Sequence, residues 1–199
     1  RLDEYYRDIP GQWGRIWLTA NSSENLIQDA TIKNGTIGLY IDTVANENDP
    51  TLRLENTIIS NHSSYGILAY SSKIEASNCQ INDNGFHDIF LFAGGDYRFS
   101  HCTFANYSPM HQSPSLRMSN YYEDVSGNEQ LRPMERADFE NCIIYGKFES
   151  EIGIEESENT TFNYTFNNCL IKLKESDYDI SNTTHFSNNI FNEDPEFIQ

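Results

Sequence analysis

Four residues within a short span could carry acid–base chemistry: Asp83, His87, Asp88 and Asp96. Grouped carboxylates can serve as acid and base in hydrolysis or hold a divalent cation, and an imidazole titrates near neutrality. The plainer reading is a solvated turn, because charged side chains are mostly exposed. A second set, Tyr121, Tyr122, Glu123 and Asp124, falls in a long interval between repeats. Its aromatic rings could stack on sugars, and its carboxylates could bind hydroxyls or calcium. The alternative is an ordered excursion without a role. His62, His111 and His185 stand alone and read as surface residues.

Cys79, Cys102, Cys142 and Cys169 are 23, 40 and 27 residues apart, with no C-x-x-C pair. Zinc needs ligands converging on a point. This spacing instead repeats one position of a periodic pattern, so the four are expected to be buried free thiols behaving as small hydrophobes. No cofactor is expected; calcium has no supporting motif.

Positioning these groups falls to an internal repeat. Five segments align without gaps: Leu54–Ile59, Ala76–Ile81, Phe99–Phe104, Phe139–Ile144 and Phe166–Ile171. Weaker copies are Ile27–Ile32 and Phe186–Phe191. The first column is apolar (Ile27, Leu54, Ala76, Phe99, Phe139, Phe166, Phe186). The third is mostly Asn (Asp29, Asn56, Asn78, His101, Asn141, Asn168, Asn188). The fourth is small (Ala30, Thr57, the four Cys, Asn189), and the sixth is large and apolar (Ile32, Ile59, Ile81, Phe104, Ile144, Ile171, Phe191). Positions four and six share one side of a strand. Positions one and four do not, so a tight bend must sit between them if both point inward. Asn tolerates the left-handed backbone of such a bend, and stacked Asn side chains can hydrogen-bond from one copy to the next.

A second set of strands follows: Ile37–Ile41, Ile67–Tyr70, Ile89–Phe92, Leu116–Met118 and Ile152–Ile154. The Asn column advances by 27, 22, 23, 40, 27 and 20 residues. A 22-residue coil has an extended contour of about 73 Å, enough for one solenoid turn. The 40-residue step implies an insertion of about 17 residues over 107–136. It carries all three Met (Met110, Met118, Met134) and three of the six Pro. A leucine-rich repeat has an overlapping period, but Leu is scarce (12, against 20 Ile and 22 Asn) and no window is helically amphipathic. The expected fold is therefore all-β: a right-handed, single-stranded parallel β-helix of about seven coils spanning 1–199 as one domain, with an Asn turn ladder and an inward Cys/Ile ladder.

The net charge is −17, from 13 Lys+Arg and 30 Asp+Glu. That argues against nucleic acid and against an anionic membrane as partner. No stretch is apolar for long enough to span a bilayer. The chain opens Arg1-Leu2-Asp3 and closes Glu196-Phe197-Ile198-Gln199 in what reads as an unfinished coil. Both ends are expected to continue in a longer protein, with any targeting signal outside this chain. Trp13 and Trp17 are expected in the core. Sequons at Asn21, Asn34, Asn61, Asn106, Asn159, Asn163 and Asn182 are expected to carry nothing.

The Asn turn, the stacked aliphatic column and the irregular third turn resemble the pectin-lyase-like right-handed β-helix superfamily. Pro10–Leu18 and Asn192–Phe197 resemble segments of large Bacteroidetes surface proteins with this fold, commonly predicted lipoproteins of unassigned function. The resemblance implies an extracellular or outer-membrane bacterial location. It also implies substrate in a groove on the outside of the helix, with paired carboxylates holding calcium and Arg or Lys as base in lyases, and grouped Asp in hydrolases. No catalytic motif of the superfamily maps onto this chain. Asp83 falls in an outward column with Asn34, Asn61, Asn106 and Gly146. The leading expectation is a non-catalytic module contacting polysaccharide or another surface protein through one sheet face and the long loop. A polysaccharide lyase or glycoside hydrolase and a bare spacer are the alternatives.

Overall fold

The computed structural model describes residues 6–44 and 48–197. The expectations resting on the opening Arg1-Leu2-Asp3 and on Ile198 and Gln199 lie outside them. The chain is all-β, with two large parallel sheets and a small antiparallel hairpin among the described residues, an arrangement compatible with a β-solenoid. In the seven-stranded sheet the strands follow chain order: Thr31–Lys33, Ile58–Ser60, Gln80–Asn82, Thr103–Asn106, Ile143–Gly146, Leu170–Ile171 and Ile190–Phe191.

The eleven-stranded sheet has two halves. One contains Ile16–Leu18, Leu39–Ile41, Leu116–Ser119 and Ile152–Glu155, and the other Asn25–Gln28, Leu52–Glu55, Met134–Glu140, Thr165–Asn167 and Phe186–Ser187. Ile67–Ser77 and Ile89–Ser100 run through both halves. The sequence reads these two as pairs of short strands. The chain instead bends within them, at Ser71 and Ala93 with φ of +42° and +57°, where the register shifts between Tyr70 and Ser72. Gly94 and Gly95 (φ +74° and +130°) complete the second bend; a side chain at Gly94 would strike the backbone of Pro133.

Strand register brings the repeat's apolar columns together. Ile27, Leu54, Ala76, Phe99, Phe139, Phe166 and Phe186 are successive partners. The rings of Phe99, Phe139, Phe166 and Phe186 lie nearly parallel, with centroids 5.2, 4.9 and 5.5 Å apart. Phe104 meets Phe99 and Phe139 edge-on. Ile59, Ile81, Phe104, Ile144 and Ile171 are fully buried beside them.

All seven residues of the Asn column are left-handed, with φ between +50° and +55°. Their side chains are exposed, and they bond from one copy to the next only at the start. Asn56 donates to Asp29 (3.1 Å) and Asn78 to Asn56 (2.8 Å). At His101 the imidazole pairs instead with its neighbour Ser100 Oγ (2.8 Å). The positive φ is common to all seven, whereas side-chain stacking is local. Replacing Asn168 by Val should therefore cost about 1–3 kcal/mol, while Asn168→Gly should be nearly neutral. Urea denaturation of both variants checks this, and equal costs would show that the backbone argument is wrong.

The 107–136 interval is three things. Residues 107–115 form a loop, Leu116–Ser119 joins the sheet beside Ile89–Ser100, and Tyr121–Glu123 with Glu129–Leu131 makes the hairpin. Met118 and Met134 are fully buried in the core rather than part of an excursion.

Candidate binding face

Alternation along a strand sends every second residue outward. On the first half of the large sheet this produces one row across successive strands: Trp17, Tyr40, Leu68, Phe90, Arg117, Gly153. Tyr70 and Phe92, two residues further on, form a second row. The rings touch: Trp17–Tyr40 at 5.8 Å, Phe90–Phe92 at 5.1 Å, Tyr70–Phe92 at 5.5 Å. Tyr65 lies near-parallel to Phe90 at 6.2 Å. The hairpin contributes Tyr122, 5.9 Å from Tyr70 and 6.2 Å from Phe92. Burial and the neighbouring Tyr122 push the Tyr70 phenol up to about 12, so it stays neutral.

Three guanidinium groups lie on these rings. Arg15 sits 5.4 Å from Trp17 and 5.2 Å from Tyr40, Arg117 5.1 Å from Phe90, and Arg132 5.5 Å from Tyr122. Arg117 is also paired with Glu155. Cation–π attraction favours each guanidinium beside its ring; Arg117 gives one N–H to Glu155 and Arg132 one to Leu131 O (2.8 Å), out of the five that a guanidinium carries. Trp17 is 52 % exposed, against the expectation of a core residue, because it occupies an outward position of Ile16–Leu18. Trp13 does pack against the core, its indole N–H bonded to Lys33 O (2.9 Å).

The four acid–base candidates are not one cluster. Asp83 is half-buried and lines a cleft of about 390 Å³ with Asn82, Tyr107 and Phe197. Asp96 lies at the sheet bend, in a cleft of about 380 Å³ with Lys73 and Glu135. Its carboxylate bridges Lys73 (3.4 Å) and Arg136 (2.7 Å). His87 and Asp88 are 1 % and 0 % exposed, not a solvated turn. The outward column assigned to Asp83 also turns: Asn106 is fully buried, and donates to Asn84 O (2.8 Å) and Asp88 Oδ1 (3.0 Å). Of the sequons, Asn34 and Asn106 are buried.

Asp88 Oδ1 also accepts from Asn84 Nδ2 (2.8 Å), yet burial holds the carboxyl well above its usual range. His87 donates from Nδ1 to Pro114 O (2.6 Å). It packs against Phe86, Phe90 and Tyr65, and burial pulls it down to about 4. His62 and His111, expected at the surface, are 0 % and 3 % exposed. His62 accepts Gly35 N–H at Nδ1 (3.0 Å) and contacts Ile32 O through Nε2 (3.2 Å), which fixes the neutral form. His111 lies 3.7 Å from the buried Glu151, whose oxygens accept from Ser115 and Phe148. His185 alone of the three is partly exposed, stacked on Tyr164.

In the hairpin, Asp124 is occupied by the turn. Its Oδ1 accepts the N–H groups of Asn128 (3.0 Å) and Ser126 (2.9 Å), which hold its carboxyl below the usual carboxylate range, and its Oδ2 accepts from Gln130 (3.0 Å). Glu123 is exposed and Tyr121 half-buried. Among the described residues, no three His, Cys, Asp or Glu side chains are grouped so as to hold a metal ion. No helix among the described residues is long and apolar enough to cross a membrane. Comparison with models of known families, with curated proteins and with solved structures finds no match in any of the three.

Proposed function

We propose that the chain is a right-handed parallel β-helix of about seven coils, of the pectin-lyase-like kind, and that it serves as a non-catalytic glycan-binding module of an exported bacterial surface protein. The observation that carries the binding role is the aromatic face of Trp17, Tyr40, Phe90, Phe92, Tyr70 and Tyr122, with three arginines laid on it. Flat rings suit the apolar faces of sugars, and the guanidinium edges suit hydroxyl and acidic oxygens. The face spans several strands, as an extended ligand requires.

Affinity electrophoresis and calorimetry against plant, host and bacterial polysaccharides test this reading. Phe90→Ala should weaken binding about tenfold, near 1.4 kcal/mol, without loss of fold, since Phe90 is only half-buried. Unchanged affinity in that variant, or no affinity for any glycan, would sink it.

A second reading rests on the cleft at the sheet bend, where Asp96 and Glu135 stand with Lys73, and makes the chain a lyase or hydrolase. The Asp96 carboxylate is occupied on one oxygen by Lys73 and on the other by Arg136, so the binding role is preferred. Release of new reducing ends or unsaturated uronides, abolished by Asp96→Asn, would reverse that order.

A further inference from the structure

Two adjoining clefts lie on the outer side of the seven-stranded sheet, apart from the aromatic face of the larger one. The chain leaves its last strand, Ile190–Phe191, and returns over this sheet, where Phe197 meets Tyr107 edge-on at 6.4 Å. The clefts, of about 390 and 460 Å³, share Asp83, Tyr107 and Phe197. The first continues past Gln80, Asn82 and Thr103, and the second reaches Asp194 and Glu196. Together they make one groove with two ring walls and acidic groups spread along it.

Both rings are open to solvent, Tyr107 at 46 % and Phe197 at 40 % exposure. No ion pair among the described residues involves Asp83, Asp194 or Glu196. Lys147 and Lys172 follow the next two strands of the sheet, yet their ammonium groups turn to Ser108 O (3.0 Å) and Gly146 O (2.6 Å). The groove thus holds three acidic groups and no basic one. Nor does the backbone ask for an acid at position 83. Asn34 and Asn61 follow the two preceding strands as Asp83 follows Gln80–Asn82, with the same left-handed φ (+67°, +56° and +55°).

We propose that this groove binds a linear aliphatic polyamine, with its ammonium groups set against Asp83, Asp194 and Glu196 and its methylenes against Tyr107 and Phe197. A cation beside an aromatic ring is attracted by the ring quadrupole, and an alkyl stem that covers exposed rings removes apolar surface from water. A metal ion fits worse. The acidic groups are not gathered closely enough to ligate one ion, whereas a flexible chain with charges several bonds apart can reach them in turn. Calcium would also leave both rings uncovered.

The test is calorimetry of the folded chain with spermidine at about 0.15 M salt, where charges more than about 8 Å away are screened. One ligand per chain is expected. Tyr107→Phe keeps the ring and should bind as the parent does, while Tyr107→Leu keeps bulk without a ring and should weaken binding about fivefold. Should Tyr107→Leu melt early, Phe197→Leu carries the same comparison at an exposed position. Asp83→Asn installs the residue of the sister turns, and Asp194→Asn keeps an oxygen for Glu196 N–H (2.9 Å). Each should weaken binding about two- to fivefold while the free variant melts as the parent does. No binding, several loosely held spermidines per chain that ignore these substitutions, or displacement of spermidine by an equal concentration of calcium overturns the proposal.

Discussion

Truncating Phe139 to alanine is expected to cost about 3–5 kcal/mol, the largest loss from any single side chain in the molecule. Phe139 is fully buried, lies parallel to Phe99 on one side and Phe166 on the other, and receives the edge of Phe104. Removing it opens a void whose walls are aromatic rings fixed by strand register. They cannot close inward without breaking the parallel pairing of Asp138, Phe139 and Glu140 with their partners on both sides. Domains of this size are typically stable by about 5–15 kcal/mol, so the variant should lie close to unfolding at room temperature. Phe186 ends the ring stack, has one parallel neighbour, Phe166, and retains 5 % exposure. Phe186→Ala should cost less than half as much. Equilibrium denaturation in urea of both variants gives the comparison. Equal losses would mean that the stack contributes nothing beyond area burial at each ring.

The same columns explain what the sequence made legible. The apolar first and sixth positions and the Asn position can be read by aligning seven short segments, since each column is a near-invariant residue type answering one physical demand: burial, or φ above zero. The buried polar groups were harder. His62, Asn84 and Glu151 sit inside the fold, where charge and polarity argue for the surface. What admits them is a glycine in a neighbouring turn. A side chain at Gly38 would strike His62, at Gly66 Asn84, and at Gly146 Glu151. That signal is a pairing between distant positions and becomes visible only with the register in hand. The aromatic face was half legible. Tyr40, Tyr70, Phe90 and Phe92 stand in the strands read from sequence, but the ring candidates sought for binding were in the insertion. Only Tyr122 of that set joins the face.

Stability should fall steeply as the pH drops from about 6.5 to about 4, and His87 is the principal cause. In the unfolded chain its imidazole binds a proton near pH 6.5. In the folded chain burial among Tyr65, Phe86 and Phe90 delays protonation to about 4. Between those values the unfolded state holds the extra proton, so acid favours unfolding by up to about 3 kcal/mol. His62, pulled down by burial in the same direction, adds to the loss. Asp88 acts with the opposite sign. Its carboxyl is raised above the usual 3.8 by burial, so the folded state holds the extra proton. Its contribution is complete below the unfolded value and is lost as the pH rises toward the folded one. Two substitutions separate the terms. His87→Gln keeps a donor for Pro114 O and cannot titrate, so its urea midpoint should change less than that of the parent between pH 4 and 6.5. Asp88→Asn keeps an oxygen for Asn84 and Asn106, and should be more stable than the parent at pH 8 but equal to it near pH 3.5. An acid limb unchanged in His87→Gln would place the cause elsewhere, with His62 the next group to replace. An Asp88→Asn variant that is weaker at pH 8 would mean that the buried carboxyl is ionised and that its charge is compensated by the amides of Asn84 and Asn106.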